Sequence, residues 1–217
     1  MENYLDKMND LLHPDLSYGE IKDKAQEEGK DMLFDVDVPK SIARLLVTLD
    51  CPRNCDYCVN KLPWPEDTLK VIDSVHPLLG YKEVLLTGGE PMLYPGVVLG
   101  VTRALKEQNP KQKVYLYTAM YDPRFKRIME VIDGVTYTLH ENATVEDVED
   151  FHATQLDIVL ANAENKSNRL SLAPNITWAI NIAPYIWRNI KIKRWRTIED
   201  GALPPQENIF YLEGVVS

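Results

Sequence analysis

The residues with the most evident chemical potential are three cysteines in one short stretch. Cys51, Cys55 and Cys58 are the only cysteines of the 217-residue chain, and their spacing is C-x3-C-x2-C. Thiolates are ligands of zinc and of iron–sulfur clusters. A structural zinc site and an electron-transferring cubane cluster each take four protein ligands, so three thiols leave one metal position open for another group.

Two other interpretations of the cysteines are open. A structural zinc site would need a fourth ligand from a histidine that is distant in sequence. The candidates are His13, His76, His140 and His152. A disulfide framework is disfavoured, because the number of cysteines is odd and the chain starts without a hydrophobic, signal-like segment; we therefore expect a reducing compartment. The spacing favours a cluster with one iron reserved for an additional ligand.

A second candidate site follows a predicted buried strand. Residues 84–86 are apolar and run directly into residues 87–91, Thr-Gly-Gly-Glu-Pro. Paired glycines at a strand end let a ligand approach the backbone closely. Glu90 adds a carboxylate that can accept hydrogen bonds from a cationic amine. The same residues are also compatible with an ordinary tight turn.

Both motifs are predicted to lie at one edge of a sheet. Residues 42–49 form a predicted strand that leads into the cysteine loop, and the next strand begins at Glu83. Between them, residues 65–79 carry helical spacing, with Pro65 near the helix start and Gly80 at its end. The apolar positions of this predicted helix are Leu69, Ile72, Val75 and Leu79. A strand–helix–strand unit makes its strands parallel, so both loops leave the carboxyl edge, where α/β proteins place their sites.

With these motifs the chain resembles radical S-adenosylmethionine (SAM) enzymes. The resemblance rests on C-x3-C-x-aromatic-C, in which Tyr57 is the aromatic residue, and on the Gly-Gly-Glu motif after the second strand. It covers roughly residues 41–183. It implies an α/β fold, a partial (β/α)6 TIM-like barrel with a parallel sheet, a short N-terminal helical extension and a C-terminal tail.

The resemblance also implies the ligands and the residues that hold them. Three cysteines would bind a [4Fe–4S] cluster, and the amino and carboxylate groups of SAM would chelate the fourth iron. The implied metal ligands are Cys51, Cys55 and Cys58, and the implied SAM-binding residues are Tyr57 at the adenine end and Gly88, Gly89 and Glu90 at the methionyl amine. No catalytic residue is assigned.

The activity implied by the resemblance is reductive cleavage of SAM to a 5′-deoxyadenosyl radical. This radical would abstract hydrogen from a small molecule, a peptide or a nucleotide, which makes the chain an oxidoreductase or a lyase. The electron would come from an external flavodoxin- or ferredoxin-like donor. Two alternatives are open: an activase of a glycyl radical enzyme, with a protein substrate, and a noncatalytic iron–sulfur or zinc-binding module.

The rest of the chain continues the alternation of strands and helices. Helices are predicted around residues 97–105, 125–132 and 145–156, and strands over 114–118, 135–139, 157–161 and 178–183. The polar stretch 162–175 is predicted to be a loop. Polar residues at or near predicted strand ends are further candidates for the site. They are Thr118, His140, Asn162 and Asn181; for His140 a purely structural role is equally compatible, and it is given no proton-transfer role.

Composition and charge narrow the class of protein. The chain has 45% hydrophobic residues, no detectable internal repeat and no linker, so we expect one domain over residues 1–217: a core at about 41–183, an extension at 1–40 and another at 184–217. The first extension contains an amphipathic helix pattern. Its apolar residues are Tyr4, Leu5, Met8, Leu11 and Leu12. No apolar run is long enough for a membrane span, and we expect a cytoplasmic protein.

One basic segment stands out against a net charge of −9, which opposes broad binding of nucleic acid backbones. Residues 187–196 contain five cations and two tryptophans. They are Arg188, Lys191, Lys193, Arg194, Arg196, Trp187 and Trp195. Such a segment is typical of a solvated edge strand protected by lysines. It could instead hold an anionic substrate, with the tryptophans as stacking surfaces.

Overall fold

The structure is a computed structural model. In the part of the chain that it describes, eight parallel strands form one sheet. The described residues are 41–61, 69–176, 180–195 and 207–214. The strands are β1 (Ile42–Thr48), β2 (Leu69–Ile72), β3 (Glu83–Gly88), β4 (Lys113–Thr118), β5 (Gly134–Leu139), β6 (Arg169–Leu172), β7 (Asn189–Ile192) and β8 (Glu207–Leu212). The α-helices are α1 (Pro95–Gln108), α2 (Phe125–Val131) and α3 (Val145–Leu160). Short 3-10 turns cover Val59–Lys61, His76–Leu78, Pro91–Leu93, Pro174–Ile176 and Pro184–Ile186.

The order of strands in the sheet is β2-β8-β1-β3-β4-β5-β6-β7, and every neighbouring pair is parallel. An open parallel sheet in an α/β chain is the arrangement expected of a partial TIM-like barrel, so the predicted fold class is confirmed. The described sheet has two strands more than the six that were predicted. None of the described helices is both long enough and apolar enough to cross a membrane.

The three helices pack side by side on one face of the sheet and form the hydrophobic core with it. Alternate strand residues point into this core, among them Leu86, Leu116, Tyr137 and Leu172. Burial of each leucine of this set contributes roughly 1.5–3 kcal/mol. The start of α3 is fixed by a capping box, in which Thr144 and Asp147 exchange side-chain and backbone hydrogen bonds.

The opposite face of the sheet, which we call the inner face, carries the alternate residues and is much more polar. They are Arg44, Leu46 and Thr48 of β1, Leu85 and Thr87 of β3, Tyr115 and Tyr117 of β4, Thr136 and Thr138 of β5, Arg169 and Ser171 of β6, Lys191 of β7, and Ile209 and Tyr211 of β8. The guanidinium carbon of Arg44 lies 5.1 Å from the centre of the Tyr117 ring, which places both side chains on this face.

The helix predicted over residues 65–79 is wrong for the part that the structure describes. Leu69–Ile72 form β2, which pairs with β8, and His76–Leu78 form a single 3-10 turn. Gly80 therefore closes no α-helix, and Pro65 lies outside the described residues, as does the predicted N-terminal amphipathic helix. The spacing of a few apolar residues fits a short strand as well as a helix, and a partner strand that is distant in sequence decides between them.

The predictions for residues 157–183 are also wrong. Residues 157–160, which were predicted to begin a strand, complete α3, and the predicted loop 162–175 contains β6. Residues 180–183 form no strand, and residues 177–179 lie outside the described part. A buried apolar run cannot be assigned to helix or strand from periodicity alone, and a four-residue strand carries little periodicity. The other predicted strands and helices are confirmed within a few residues.

The C-terminal residues contribute directly to the sheet. β7 and β8 both lie within residues 184–217, which the sequence assigned to an extension, and β8 is inserted between β2 and β1. The four residues of β7 are all exposed and lie at one end of the described strand order, so the interpretation as an edge strand is confirmed for residues 189–192 of the basic segment.

Candidate functional site

The cysteine loop leaves the carboxyl end of β1. Cys51 is exposed, and Cys55 and Cys58 are half-buried; none of the three forms a disulfide. A tight turn holds the second half of the loop, since the backbone N–H of Cys58 donates to the carbonyl of Cys55 at 3.2 Å and that of Lys61 donates to the carbonyl of Cys58 at 3.1 Å. The turn thus carries Cys55 and Cys58, and Cys51 precedes it in the same loop.

Several neighbouring groups act on the thiol of Cys51. Burial raises the pKa of the Cys51 thiol, a backbone hydrogen bond with Arg53 opposes this, and the negative charges of Glu90, Cys55 and Cys58 raise the pKa further. Among the residues that the structure describes, no three histidine, cysteine or acidic side chains converge as the ligands of one metal ion.

The glycine motif packs directly on the start of the cysteine loop. The backbone N–H of Gly89 donates to the carbonyl of Thr48, and that of Glu90 donates to the carbonyl of Asp50, both at 2.7 Å. A Cβ atom on Gly88 would lie 2.2 Å from the carbonyl oxygen of Thr48, and one on Gly89 would lie 2.0 Å from that of Asp50. The close approach that these glycines permit is thus between two backbone segments, which brings both motifs together.

Glu90 holds the glycine motif to the end of β4. Its carboxylate, in a residue that is 3% exposed, accepts hydrogen bonds from the backbone N–H groups of Met92 and Ala119, each at 2.9 Å, and from the hydroxyl of Thr118 at 2.6 Å. Burial raises the pKa of Glu90, and these hydrogen bonds oppose the rise. Thr118, a candidate from its strand-end position, therefore belongs to the site through Glu90.

Three aromatic side chains line the other side of the cysteine loop. The hydroxyl of Tyr57 lies 2.7 Å from Nδ1 of His140, and their rings stack with centres 5.8 Å apart. The Trp195 ring stacks on Tyr57 at 5.9 Å and tilts against His140 at 5.7 Å. Burial, and then the charge of Arg53, lowers the pKa of His140 to about 4, so the ring is neutral at pH 7 and its Nδ1 can accept a hydrogen bond from the Tyr57 hydroxyl.

A cavity of about 380 Å³ opens beside this aromatic group and the cysteine loop. Its lining consists of Asn54, Cys55, Asp56, Tyr57, Glu141, Asn142 and Trp195. Aromatic walls with a few amide and carboxylate groups are typical of a site for a small polar molecule.

Comparison with known proteins identifies the combination of motifs. The family model of the radical SAM superfamily matches residues 45–152, a range that contains all three cysteines, the glycine motif and His140. The chain belongs to the radical SAM superfamily. This confirms the resemblance that was inferred from the cysteine and glycine motifs.

Two individual proteins are similar to this radical SAM chain. GTP 3′,8-cyclase from Streptomyces coelicolor is 29% identical over 109 residues, which are 45% of this chain and 32% of that protein. The chain therefore covers only about a third of the length of this relative. The crystal structure of BtrN in complex with AdoMet and 2-DOIA is 20% identical and has a TM-score of 0.44, with coverage of 60% of this chain and 56% of that chain.

The donor set of the radical SAM chain fits the cluster that the family implies. Three thiols on one loop, free of disulfides, are the type of donor that the iron atoms of a [4Fe–4S] cluster take. The cluster ligands would be Cys51, Cys55 and Cys58. Tyr57 belongs to the cysteine loop, and Gly88, Gly89 and Glu90 pack beside that loop. The roles of these four residues as SAM ligands stay predictions.

Arg53 is a site residue that the sequence interpretation missed. Its Nη2 donates to the carbonyl of Ala119 at 3.1 Å and forms an ion pair with Asp147, the capping-box residue of α3. Burial raises the pKa of Asp147, but the backbone N–H of Thr144 and the guanidinium of Arg53 outweigh it, so the net shift is downward. A lone cation within the cysteine loop, and the Thr-x-x-Asp pattern at the start of α3, are the signals that could have pointed to this pair.

The remaining candidates from the sequence do not all join the site. Asn162 is an exposed residue with φ of 51° that follows α3, and Asn181 contacts α3 through His152 and Gln155. The two tryptophans of the basic segment separate: Trp195 lies at the cysteine loop, while Trp187 is buried against Phe151. Only Thr118, His140 and Trp195 are thus brought to the two motifs.

Proposed function

We propose that this chain is a radical SAM enzyme that binds a [4Fe–4S] cluster through Cys51, Cys55 and Cys58. The observation that carries the proposal is the backbone hydrogen bond from Glu90 to Asp50, which places the glycine motif against the residue that precedes Cys51. Two motifs with separate chemical roles thereby share one rim of the sheet. When bound, the cluster supplies an electron to SAM, whose cleavage gives methionine and a 5′-deoxyadenosyl radical.

The residues of the chain would bind and orient the cofactor. Tyr57 is held by His140 and Trp195, so its ring offers a fixed surface for the adenine end of SAM. The glycine motif lies on the other side of the cysteine loop, where the methionyl amine would be bound by Glu90 and the neighbouring backbone. An external flavodoxin- or ferredoxin-like protein would deliver the electron.

GTP is the first substrate to test, because a GTP 3′,8-cyclase is among the similar proteins. Other nucleotides, peptides and small molecules are tested next. A protein substrate is tested for the activase alternative. Hydrogen abstraction from GTP would be detected by transfer of deuterium from labelled GTP into 5′-deoxyadenosine.

Release of 5′-deoxyadenosine from SAM tests the function. The full chain is reconstituted with iron and sulfide without oxygen, then given dithionite and SAM, and the product is measured by chromatography. Each of the variants Cys51→Ala, Cys55→Ala and Cys58→Ala is expected to abolish release while most of the fold is retained. Asn162→Gly, a change at an exposed position with positive φ, is the control and should release product like the wild type.

Two outcomes would contradict the proposal. Product release by all three cysteine variants would show that the loop is not the cluster site. A wild-type chain that binds metal but releases no 5′-deoxyadenosine would instead support the noncatalytic alternative.

A further inference from the structure

Several hydroxyl groups on the inner face form no hydrogen bond to any residue that the structure describes. Thr136 and Thr138 on β5 and Ser171 on β6 are half-buried, and none of their hydroxyls bonds to another residue in the described ranges. The hydroxyls of Thr48 and Thr118, at the rim of the same face, are both engaged with protein groups. The inner face therefore offers hydrogen-bonding capacity that the described part of the protein does not use.

Two cations lie next to these hydroxyls. Thr136 pairs in register with Arg169, Thr138 pairs with Ser171, and Ser171 pairs with Lys191, so the five residues occupy neighbouring positions on β5, β6 and β7. Neighbouring strands are about 4.8 Å apart, which makes this a compact group. Within the described ranges neither Arg169 nor Lys191 forms an ion pair.

Two acids of the sheet are engaged with other cations. Asp133, at the amino end of β5, is paired with Lys106 and Lys113, and Glu207 on β8 is paired with Arg44. Positive charge together with free hydroxyls is the donor set that proteins use for phosphate and carboxylate groups. An apolar ligand on the same surface would leave the hydroxyls and both cations without compensation.

We propose that Thr136, Thr138, Ser171, Arg169 and Lys191 form an oxyanion patch that binds the phosphate or carboxylate group of a small polar ligand. Thr136, Thr138 and His140 follow one another on the same face, so Thr138 lies about 7 Å and Thr136 about 13 Å along the strand from His140. His140 contacts Tyr57 of the cysteine loop. A ligand anchored at the patch can thus extend about 10 Å to the loop.

That this ligand is the substrate of the enzyme rests on the proposed function. In that case the substrate is an anionic, hydrogen-bonding molecule whose oxyanion group lies below the rim, while its reacting C–H bond lies near the cysteine loop. The binding of an oxyanion itself requires neither cluster nor SAM.

Binding of two simple probes tests the patch. The full chain is titrated with inorganic phosphate, observed by ³¹P NMR line broadening, and separately with ¹³C-labelled malonate, a carboxylate probe. We expect at least one probe to bind, and the double variant Arg169→Gln/Lys191→Gln to weaken it at least about 10-fold, because two charge-assisted contacts are lost. Thr138→Val and Ser171→Ala should each weaken it by about 3-fold or more.

The matched control is Arg103→Gln/Lys111→Gln, which removes the same charge from exposed positions at and beyond α1. It should bind the probe like the wild type and confirm that net charge alone does not decide the result. Preference for phosphate or for malonate identifies the chemical source of the oxyanion.

The patch would be overturned if neither probe binds, or if the Arg169/Lys191 variant and the control bind equally. The test is repeated on the Cys55→Ala variant, which should keep its affinity for the probe. Probe binding by a wild type that releases no 5′-deoxyadenosine would refute the proposed function alone. Product release without probe binding would refute the patch alone.

Discussion

Arg53, in the middle of the cysteine loop, forms an ion pair with Asp147, which closes the capping box at the start of α3. The two side chains are 10% and 16% exposed. The ion pair connects the cysteine loop, which follows β1, with α3, which follows β5. The position of the three thiols therefore depends on a contact across the sheet.

Removing one member of this pair is expected to destabilise the loop and the fold. Asp147→Asn should lower the free energy of unfolding by about 2–4 kcal/mol, since it leaves a buried guanidinium without its counter-charge. Thr144→Ala, which loses the capping hydrogen bond but keeps the ion pair, should cost only about 1 kcal/mol. Urea unfolding of the cluster-free protein measures both. Equal losses in the two variants would mean that the ion pair contributes nothing beyond the helix cap.

Gly89 should not tolerate a side chain. A Cβ atom there would lie 2.0 Å from the backbone oxygen of Asp50, which cannot rotate away, so Gly89→Ala is expected to lower stability by about 1–3 kcal/mol and to impair cluster assembly. Gly100→Ala is the control, because a Cβ atom there meets nothing within 4 Å. In the interior of α1 this control should raise stability by about 0.5–1 kcal/mol. Thermal denaturation measures stability, and the iron content measures cluster assembly. A Gly89→Ala variant with the melting temperature and iron content of the wild type would contradict this prediction.

Glu90 is expected to matter more for SAM binding than for cluster assembly. Glu90→Ala removes the proposed partner of the methionyl amine and leaves the donors of Met92, Thr118 and Ala119 without their acceptor, which should also lower stability by about 1–3 kcal/mol. Thr118→Val keeps the carboxylate and should have a smaller effect on SAM affinity. Anaerobic calorimetry with SAM, together with iron analysis, separates the two roles. Wild-type SAM affinity in Glu90→Ala would exclude the amine contact.

His140 makes stability depend on pH in a defined window. Burial lowers its folded pKa from 6.5 to about 4, so between these values the unfolded chain binds more protons than the folded one. Its contribution is present above pH 6.5 and is lost as the pH falls towards 4, by up to about 3 kcal/mol. His140→Gln should flatten the change in unfolding free energy over this range, whereas His76→Gln, at an exposed position, should not. Urea titrations of the cluster-free protein from pH 4 to 7 test the slope.

Sequence information was strongest where the signal is local. The cysteine spacing and the Gly-Gly-Glu motif indicated the superfamily, and periodic segments indicated β1, β3, β4, β5 and the three α-helices within a few residues. The helix assigned to residues 65–79 and the loop assigned to 162–175 were wrong, because β2 and β6 have four residues each and depend on partners elsewhere in the chain.

By itself the sequence determined the chemical class of the loop, since three thiols and two adjacent glycines keep their character in any fold. Only the tertiary structure decided which other residues join them. Arg53 forms an ion pair with Asp147, Tyr57 contacts His140 and Trp195, and β8 pairs with β1 in the sheet. These contacts join positions 83 or more residues apart, and their energies depend on packing and strand pairing that no local pattern encodes.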